Sequence, residues 1–244
     1  MLTHPTIEGL VSLNLTAMAD QLHDQRGNPD YEGLSFEERL GLLVDHELVV
    51  WENRRMQRAL KAAKLKCNAV IEDLDFKRPR GLDKRLVLSL ADGHFVDHAN
   101  SVVIVGPTGV GKTYLACALA NAAIRNRHSA LYLRAPRMFD ELTLARADGR
   151  LPRMMAAWAK CGVLVIDDFL LRPVTADKAA DLLEVLDDRA GLRSTIITAQ
   201  LPVEHWHEAL GDDTIADAVL DRLLARCHRI ELTGTSFRQP PTKP

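Results

Sequence analysis

Apolar and polar positions change their period once along the chain. Up to about residue 75 they follow helical spacing, and no strand-like run occurs. Leu10, Leu13, Ala17 and Gln21-Leu22 predict a first amphipathic helix, and a Gly27-Asn28-Pro29 turn follows. Ser35-Phe-Glu-Glu38 has the form of a capping box and opens a second helix, with Phe36, Leu40, Leu43 and Val50 on one face. That helical pattern continues through Trp51 to Lys66. Past residue 100 the pattern becomes short apolar runs separated by helical stretches. The runs are Val102–Val105, Ala130–Leu133, Val163–Ile166, Thr195–Thr198 and Arg229–Leu232. The helices between them are predicted at 136–147, 151–160, 175–190 (capped by Thr175), 202–210 and 214–227. Continuous apolar strands alternating with helices predict a parallel five-stranded sheet covered on both faces, an α/β fold preceded by a small all-helical domain.

The first strand runs directly into Gly106-Pro-Thr-Gly-Val-Gly-Lys-Thr113, the G-x-x-x-x-G-K-[ST] phosphate loop. By chance this pattern occurs in a chain of this length on the order of once in a hundred. Strand before and helix-prone Tyr114-Leu-Ala-Cys-Ala-Leu-Ala after supply the context a real loop needs. Gly106, Gly109 and Gly111 permit positive φ and close approach of the backbone; Pro107, Thr108 and Val110 complete the turn. Inward N–H groups and the start of a helix attract anions. Lys112 brings a charge to phosphate, the Thr113 hydroxyl suits Mg²⁺, and Tyr114 follows them.

Val163-Leu-Val-Ile-Asp-Asp168 is a buried strand ending in two carboxylates, and ligands of open α/β sheets sit off such strand ends. Asp167 is placed to hold Mg²⁺ and Asp168 to orient and deprotonate a water. Gln200, after the fourth strand, has two readings, a γ-phosphate contact or an ordinary strand-end turn. Arg222 likewise reads as a finger reaching a neighbouring subunit's ATP, or as a salt bridge with Asp221 or Asp217. Arg238 stands even between phosphate contact and none. His205 and His207 lie on different helix faces and do not predict a metal site.

Composition changes this picture little. The 244 residues are 47% hydrophobic and 26% charged with net charge −2, which excludes a global attraction to nucleic acid. Basic surface is local. Arg54, Arg55, Arg58, Lys61, Lys64 and Lys66 follow one another without an acid, while Met56, Leu60, Ala63 and Cys67 keep an apolar stripe. The run reads as a helix that binds duplex DNA through its phosphates, or as a solvated face; its single sign favours the first. Lys77 and Arg78 lie in a second basic stretch, 76–85, inside a connector broken by Pro79 and Gly81. Leu86–Leu90 predicts a short helix there and Gly93–Asn100 a turn. Four cysteines without C-x-x-C spacing, no signal-peptide pattern and no membrane-length apolar run lead us to expect a cytoplasmic protein without membrane contact.

Taken together, Gly106–Ala116, Leu164-Val-Ile-Asp-Asp-Phe169, Thr198-Ala-Gln-Leu-Pro202, Leu220-Asp-Arg-Leu-Leu224 and Gly234-Thr-Ser-Phe-Arg238 resemble the IstB family. These are ATP-binding helpers of insertion-sequence transposition, kin of the DnaC helicase loader among AAA+ ATPases. The resemblance implies ATP and Mg²⁺ at Lys112, Thr113, Asp167 and Asp168, a first sensor at Gln200, an arginine finger at Arg222 and a second sensor at Arg238. It also implies a homo-oligomer on DNA that bends its target and recruits a transposase, or, in a DnaC-like role, a replicative helicase. Two departures stand out. Asp168 replaces the usual Glu, and a shorter arm predicts slow hydrolysis or a nucleotide-gated scaffold that hardly turns over; Gln200 replaces Asn. A metabolic P-loop kinase would leave the basic helix unexplained. The expected layout is a helical DNA-binding and assembly domain at 1–75, a basic linker at 76–100, the AAA+ domain at 101–238 and a disordered tail at 239–244.

Overall fold

The computed structural model describes residues 4–237, so Arg238 and the expected tail at 239–244 lie outside the described residues. The chain divides into two compact units, 1–58 and 59–244. The division falls before the expected boundary at 75, and residues 59–75 go with the larger unit.

In the smaller unit the expected first helix is two, α1 (Pro5–Ser12) and α2 (Thr16–Gly27). Asn14 separates them with a φ of +60°, a left-handed conformation that Asn tolerates. The capping box forms as expected. The Ser35 amide donates to Glu38 Oε2 (2.8 Å) and the Glu38 amide to Ser35 Oγ (3.3 Å). These bonds hold the Glu38 carboxyl below the usual range. The helix they open, α3 (Phe36–Ala63), stops three residues before Lys66 because Lys64 turns left-handed at φ +51°. Of the expected apolar face only Leu43 is buried; Phe36 is 73% exposed. Period assigns a face but not a cover, and the buried apolar residues of α2 are Ala17 and Ala19, a narrow strip beside buried Gln25. Polar bonds lock the strip: the Met18 amide, an orphan of the first turn of α2, donates to buried Glu47 Oε2 (3.0 Å), and Gln25 Nε2 donates to Arg39 O (3.0 Å).

The larger unit continues through α4 (Lys84–Ala91) and a one-turn α5 (His94–Asp97) into β1 (Ser101–Val105) and α6 (Lys112–Arg125). Then come β2 (Ala130–Arg134), α7 (Ala135–Ala147), α8 (Leu151–Lys160), β3 (Val163–Phe169), α9 (Ala176–Asp187), β4 (Ser194–Ala199), α10 (Trp206–Leu210), α11 (Asp213–Leu224) and β5 (Cys227–Glu231). All five expected strands are present. They form one parallel sheet in the order β2-β3-β4-β1-β5. Thr175 stands at the N-cap of α9 but its side chain makes no capping bond.

β1 and β4 are buried along their whole length, whereas the edge strands β2 and β5 are buried only at some positions. Val103, Val105, Leu164, Ile166, Ile197 and Ala199 belong to one core with α7 to α11. Their strand neighbours turn to the other face, where α6 packs. The connector is no loose linker: Arg80, Val87, Leu90 and Phe95 are buried.

One buried charge ties the sheet's lower edge together. Arg189, 1% exposed, donates to Trp158 O (2.5 Å), Cys161 O (2.8 Å), Thr195 Oγ1 (3.1 Å) and Ser194 O. Burial pulls its guanidinium down to about 10, still charged at neutral pH. Arg189→Ala leaves these acceptors without a donor and should cost about 3 kcal/mol in chemical denaturation, against about 0.5 kcal/mol or less for exposed Arg137→Ala. Equal costs would make Arg189 a surface-like residue.

Candidate nucleotide site

The phosphate loop links β1 to α6 with Gly106, Gly109 and Gly111 at φ +150°, +86° and +99°. No Cβ fits at any of them. It would lie 2.2 Å from Leu232 O, 2.0 Å from Ser236 Oγ and 2.7 Å from Arg80 Nη1, respectively. The obstacles are the protein's own, since the chain after β5 runs back over the loop. Leu232 N donates to Val105 O (2.8 Å), Thr233 N to Arg80 O (2.9 Å) and Phe237 N to Gly109 O (2.9 Å). Arg80, 5% exposed, donates to Val110 O (3.1 Å) and Asp75 O (3.3 Å). Its burial holds the guanidinium below its ordinary range, while Asp75 opposes that shift.

Lys112, buried at the start of α6, donates to the loop carbonyls of Gly106 (2.6 Å) and Pro107 (2.8 Å). Thr113 Oγ1 donates to Asp167 Oδ1 at 2.9 Å. Asp167 is 3% exposed and accepts two further hydroxyls, Thr198 Oγ1 on Oδ1 (2.5 Å) and Tyr132 OH on Oδ2 (2.6 Å). Burial, then that bond, push the Tyr132 phenol up, so it stays a protonated donor.

Successive strand residues face opposite ways, yet Asp167 and Asp168 both line the cleft. A register shift between Ile166 and Phe169, with Asp168 at φ +57°, breaks the alternation. Asp168 Oδ2 accepts from Arg134 Nε (2.7 Å) and its amide donates to Thr198 Oγ1 (3.2 Å). The ion pair raises the Arg134 guanidinium further. Gln200 Oε1 accepts from Thr108 Oγ1 (2.7 Å), which brings the end of β4 to the phosphate loop.

These groups line a cleft of about 800 Å³. Its chemistry fits a Mg²⁺-nucleotide: a glycine-lined backbone nest, a helix N-terminus, the Lys112 ammonium, and the hydroxyl and carboxylate oxygens a hard cation prefers. Among the described residues no cluster of three or more His, Cys, Asp or Glu is arranged to hold a metal alone. A cation here therefore needs ligand oxygens besides Asp167 and Thr113.

The sequence pattern of the family described as IstB-like ATP binding protein matches residues 9–243. The chain belongs to this IstB-like family. It is 46% identical to the insertion sequence ATP-binding protein y4pL of Sinorhizobium fredii (strain NBRC 101917 / NGR234), over 98% of each chain. It is 47% identical to the IS1162 ATP-binding protein of Pseudomonas fluorescens, over 83% of this chain and 88% of that one. Its fold resembles the crystal structure of the DnaC helicase loader, with a TM-score of 0.58 at 19% identity, over 70% of this chain and 99% of that chain.

Not every expected site residue of this IstB-like chain comes together. Arg222 lies in a groove with Ser101 and Thr195, at the ends of β1 and β4 away from the phosphate loop. Its guanidinium pairs with Asp187 through Nε and approaches Asp221 at 3.7 Å. The expected partner Asp217 instead faces His207 (3.3 Å). Arg78 is committed to the returning chain: it bonds Thr235 Oγ1 (2.9 Å) and sits 4.2 Å over the Phe237 ring. Lys77 is exposed, as are Arg54, Arg58, Lys61 and Lys64, whereas Arg55 is partly buried. Arg54 bonds Thr16 Oγ1 (2.8 Å). Residue types alone did not mark Tyr132, Arg134, Thr198 or Arg80. The first two stand at i and i+2 on β2, hence on one face, which is the signal that could have found them.

Tyr132→Phe removes a hydroxyl from a buried carboxylate with little change of shape. We expect a loss of about 2 kcal/mol in unfolding free energy by denaturant titration. A loss below about 0.5 kcal/mol would mean that water replaces the bond.

Proposed function

We propose that the chain binds ATP with Mg²⁺ in this cleft, assembles with other copies on duplex DNA, and directs a transposase to that DNA. The observation that carries the reading is the meeting of the glycine nest, Lys112 and the Thr113–Asp167 pair at 2.9 Å. Lys112 leaves the loop carbonyls for the β and γ phosphates. Thr113 and Asp167 would hold the cation through their oxygens, while Tyr132 and Thr198 keep Asp167 oriented. Asp168 takes the proton of a water aimed at the terminal phosphate, and Gln200 orients that water or the phosphate from the end of β4. Bound Mg²⁺ supplies charge neutralisation on the phosphate oxygens. Arg222 acts on the ATP of a neighbouring copy. The names of the relatives, which tie them to insertion sequences and ATP, support a transposase over a replicative helicase as partner; the DnaC likeness speaks for fold alone.

One observation favours a second reading, a nucleotide-gated scaffold with little turnover. The Asp168 carboxylate is already held by Arg134 at 2.7 Å, and its arm is one methylene shorter than that of Glu. Such a scaffold would bind ATP and assemble but release phosphate rarely. Steady-state and single-turnover hydrolysis, each with and without duplex DNA, separate the two readings.

Lys112→Ala should abolish ATP binding in calorimetric titration, and retained affinity would defeat the site. Arg222→Ala should keep ATP affinity while losing DNA-stimulated phosphate release; normal release would leave Arg222 a plain partner of Asp187.

Replacing Arg54, Arg55 and Arg58 by Ala should weaken duplex binding and lower the slope of log affinity against log salt by roughly 2 to 3. An unchanged slope would return that stretch of α3 to a solvated face.

A further inference from the structure

Two thiols meet in the wall of the nucleotide cleft, and the ATP chemistry uses neither. Cys67 is half-buried and lines the cleft beside Lys66, Asp73, Leu74 and Asp75. Cys117 stands on α6 one turn beyond Thr113 and is fully buried. Its thiol has the Cys67 thiol and the backbone of Lys66 and Cys67 as polar neighbours. Both residues belong to the larger unit.

The backbone suits a bond between them. Ala63 and Ala69, both 0% exposed, pin the chain on either side of Cys67. Between them the chain leaves the helix at Lys64, with φ +51°, and forms a short turn in which Ala69 N donates to Cys67 O (3.0 Å). A turn held at its ends can shift to bring two neighbouring sulfurs into bonding geometry, while α6 supplies the rigid side of the pair. The other two cysteines have different neighbours. Cys161 Sγ donates to Val163 O (3.1 Å), and Cys227 lies beside Arg229.

We propose that Cys67 and Cys117 are a redox-sensitive pair that closes to a disulfide when a peroxide reaches Cys67 through the cleft. The Cys67 sulfur attacks one oxygen of hydrogen peroxide. An S–O bond forms, the O–O bond breaks, and the leaving hydroxide takes the thiol proton as water. Cys117 then attacks the Cys67 sulfur. The S–S bond forms, the S–O bond breaks, and hydroxide leaves as a second water with the Cys117 proton. Two thiols are oxidised and one peroxide is reduced by the same two electrons. Accessibility sets the order of attack. Burial lifts the Cys117 thiol to about 12, which keeps it protonated and confines it to the second step. In a reducing compartment such a bond is transient, because an external thiol reopens it. A ligand in the cleft covers Cys67 and slows the first step. The shielding rests on the nucleotide reading; the pairing does not.

The test is peptide mapping of the full, reduced chain after stoichiometric hydrogen peroxide, with digestion under non-reducing conditions. The expected product joins the Cys67 peptide to the Cys117 peptide, two hydrogens lighter than their sum, and dithiothreitol separates them. Cys161 and Cys227 should stay reduced. Cys117→Ser should leave Cys67 as a sulfenic acid that dimedone captures, and Cys67→Ser should leave Cys117 unmodified. Magnesium ATP should slow the loss of the Cys67 thiol several-fold in the wild-type chain. Oxidation of Cys67 without a link to Cys117, a link to Cys161 or Cys227 instead, or no oxidation at all overturns the pairing. A link that forms at the same rate with ATP, in a chain that binds ATP by calorimetry, overturns the shielding. The same rate in a chain that binds no ATP overturns the nucleotide reading and leaves the pair supported.

Discussion

A carboxylate taken out of water must be given hydrogen bonds in return, and at Asp167 that requirement organises the site. The group is 3% exposed and accepts three hydroxyls from three different elements: Thr113 of α6, Tyr132 of β2 and Thr198 of β4. An isolated ionised carboxylate at such a position would cost many kcal/mol. Three donors of fixed origin remove most of that cost only while β2, β3 and β4 are neighbours and α6 starts beside their ends. The strand order β2-β3-β4-β1 is what satisfies both conditions. The same geometry leaves Thr113 and Asp167 sharing one proton donor in the place where oxygen ligands for a hard cation are wanted. Stability and ligand chemistry thus draw on one group.

The glycines of the phosphate loop answer to a second constraint besides the ligand. Read from sequence, they make room for phosphate. In the structure the space a Cβ would take is occupied by Leu232 O, Ser236 Oγ and the Arg80 guanidinium. The loop is pressed between the chain leaving β5 and the connector before β1. Arg80 and Arg78 both stack on Phe237, at 5.1 and 4.2 Å from the ring centre, so connector and returning chain fasten each other. A nucleotide entering the cleft touches a loop whose outer side is already held, which lowers the entropy lost on binding.

Fold and loop were legible because they rest on local rules. Period and apolar runs marked five strands, and the loop motif carries its own geometry. That Thr113 and Asp167 belong to one site followed from the rule that parallel-sheet sites gather at strand ends; their direct bond did not. What was illegible depended on tertiary neighbours. Nothing local says that Lys64 turns left-handed and ends α3, or that Leu13–Leu15 interrupts the first helix. Tyr132, Arg134 and Thr198 look like ordinary strand residues until the strand order sets them around two carboxylates. Arg80 sits in a basic, Pro- and Gly-broken stretch whose composition reads as linker, yet it is buried against Val110 O. Phe36 failed in the opposite sense, since an apolar residue in phase with a core face stays exposed when the covering helix is too small.

The position of Arg222 decides more than its identity. The acids lie near the carboxyl end of β3, whereas Arg222 shares its groove with Ser101 and Thr195, at the amino ends of β1 and β4. Strands of five and six residues, each residue advancing the chain roughly 3.3 Å, stand between them. An arginine side chain does not span the sheet, so no rotamer brings this guanidinium to a phosphate held by its own chain. Any action of Arg222 on a nucleotide needs a second copy presenting its cleft to this groove, and meanwhile Asp187 neutralises the charge. Bringing the guanidinium to a phosphate trades one carboxylate partner for a polyanion. That exchange is favourable only when the neighbouring cleft is filled, which makes nucleotide the condition for the contact.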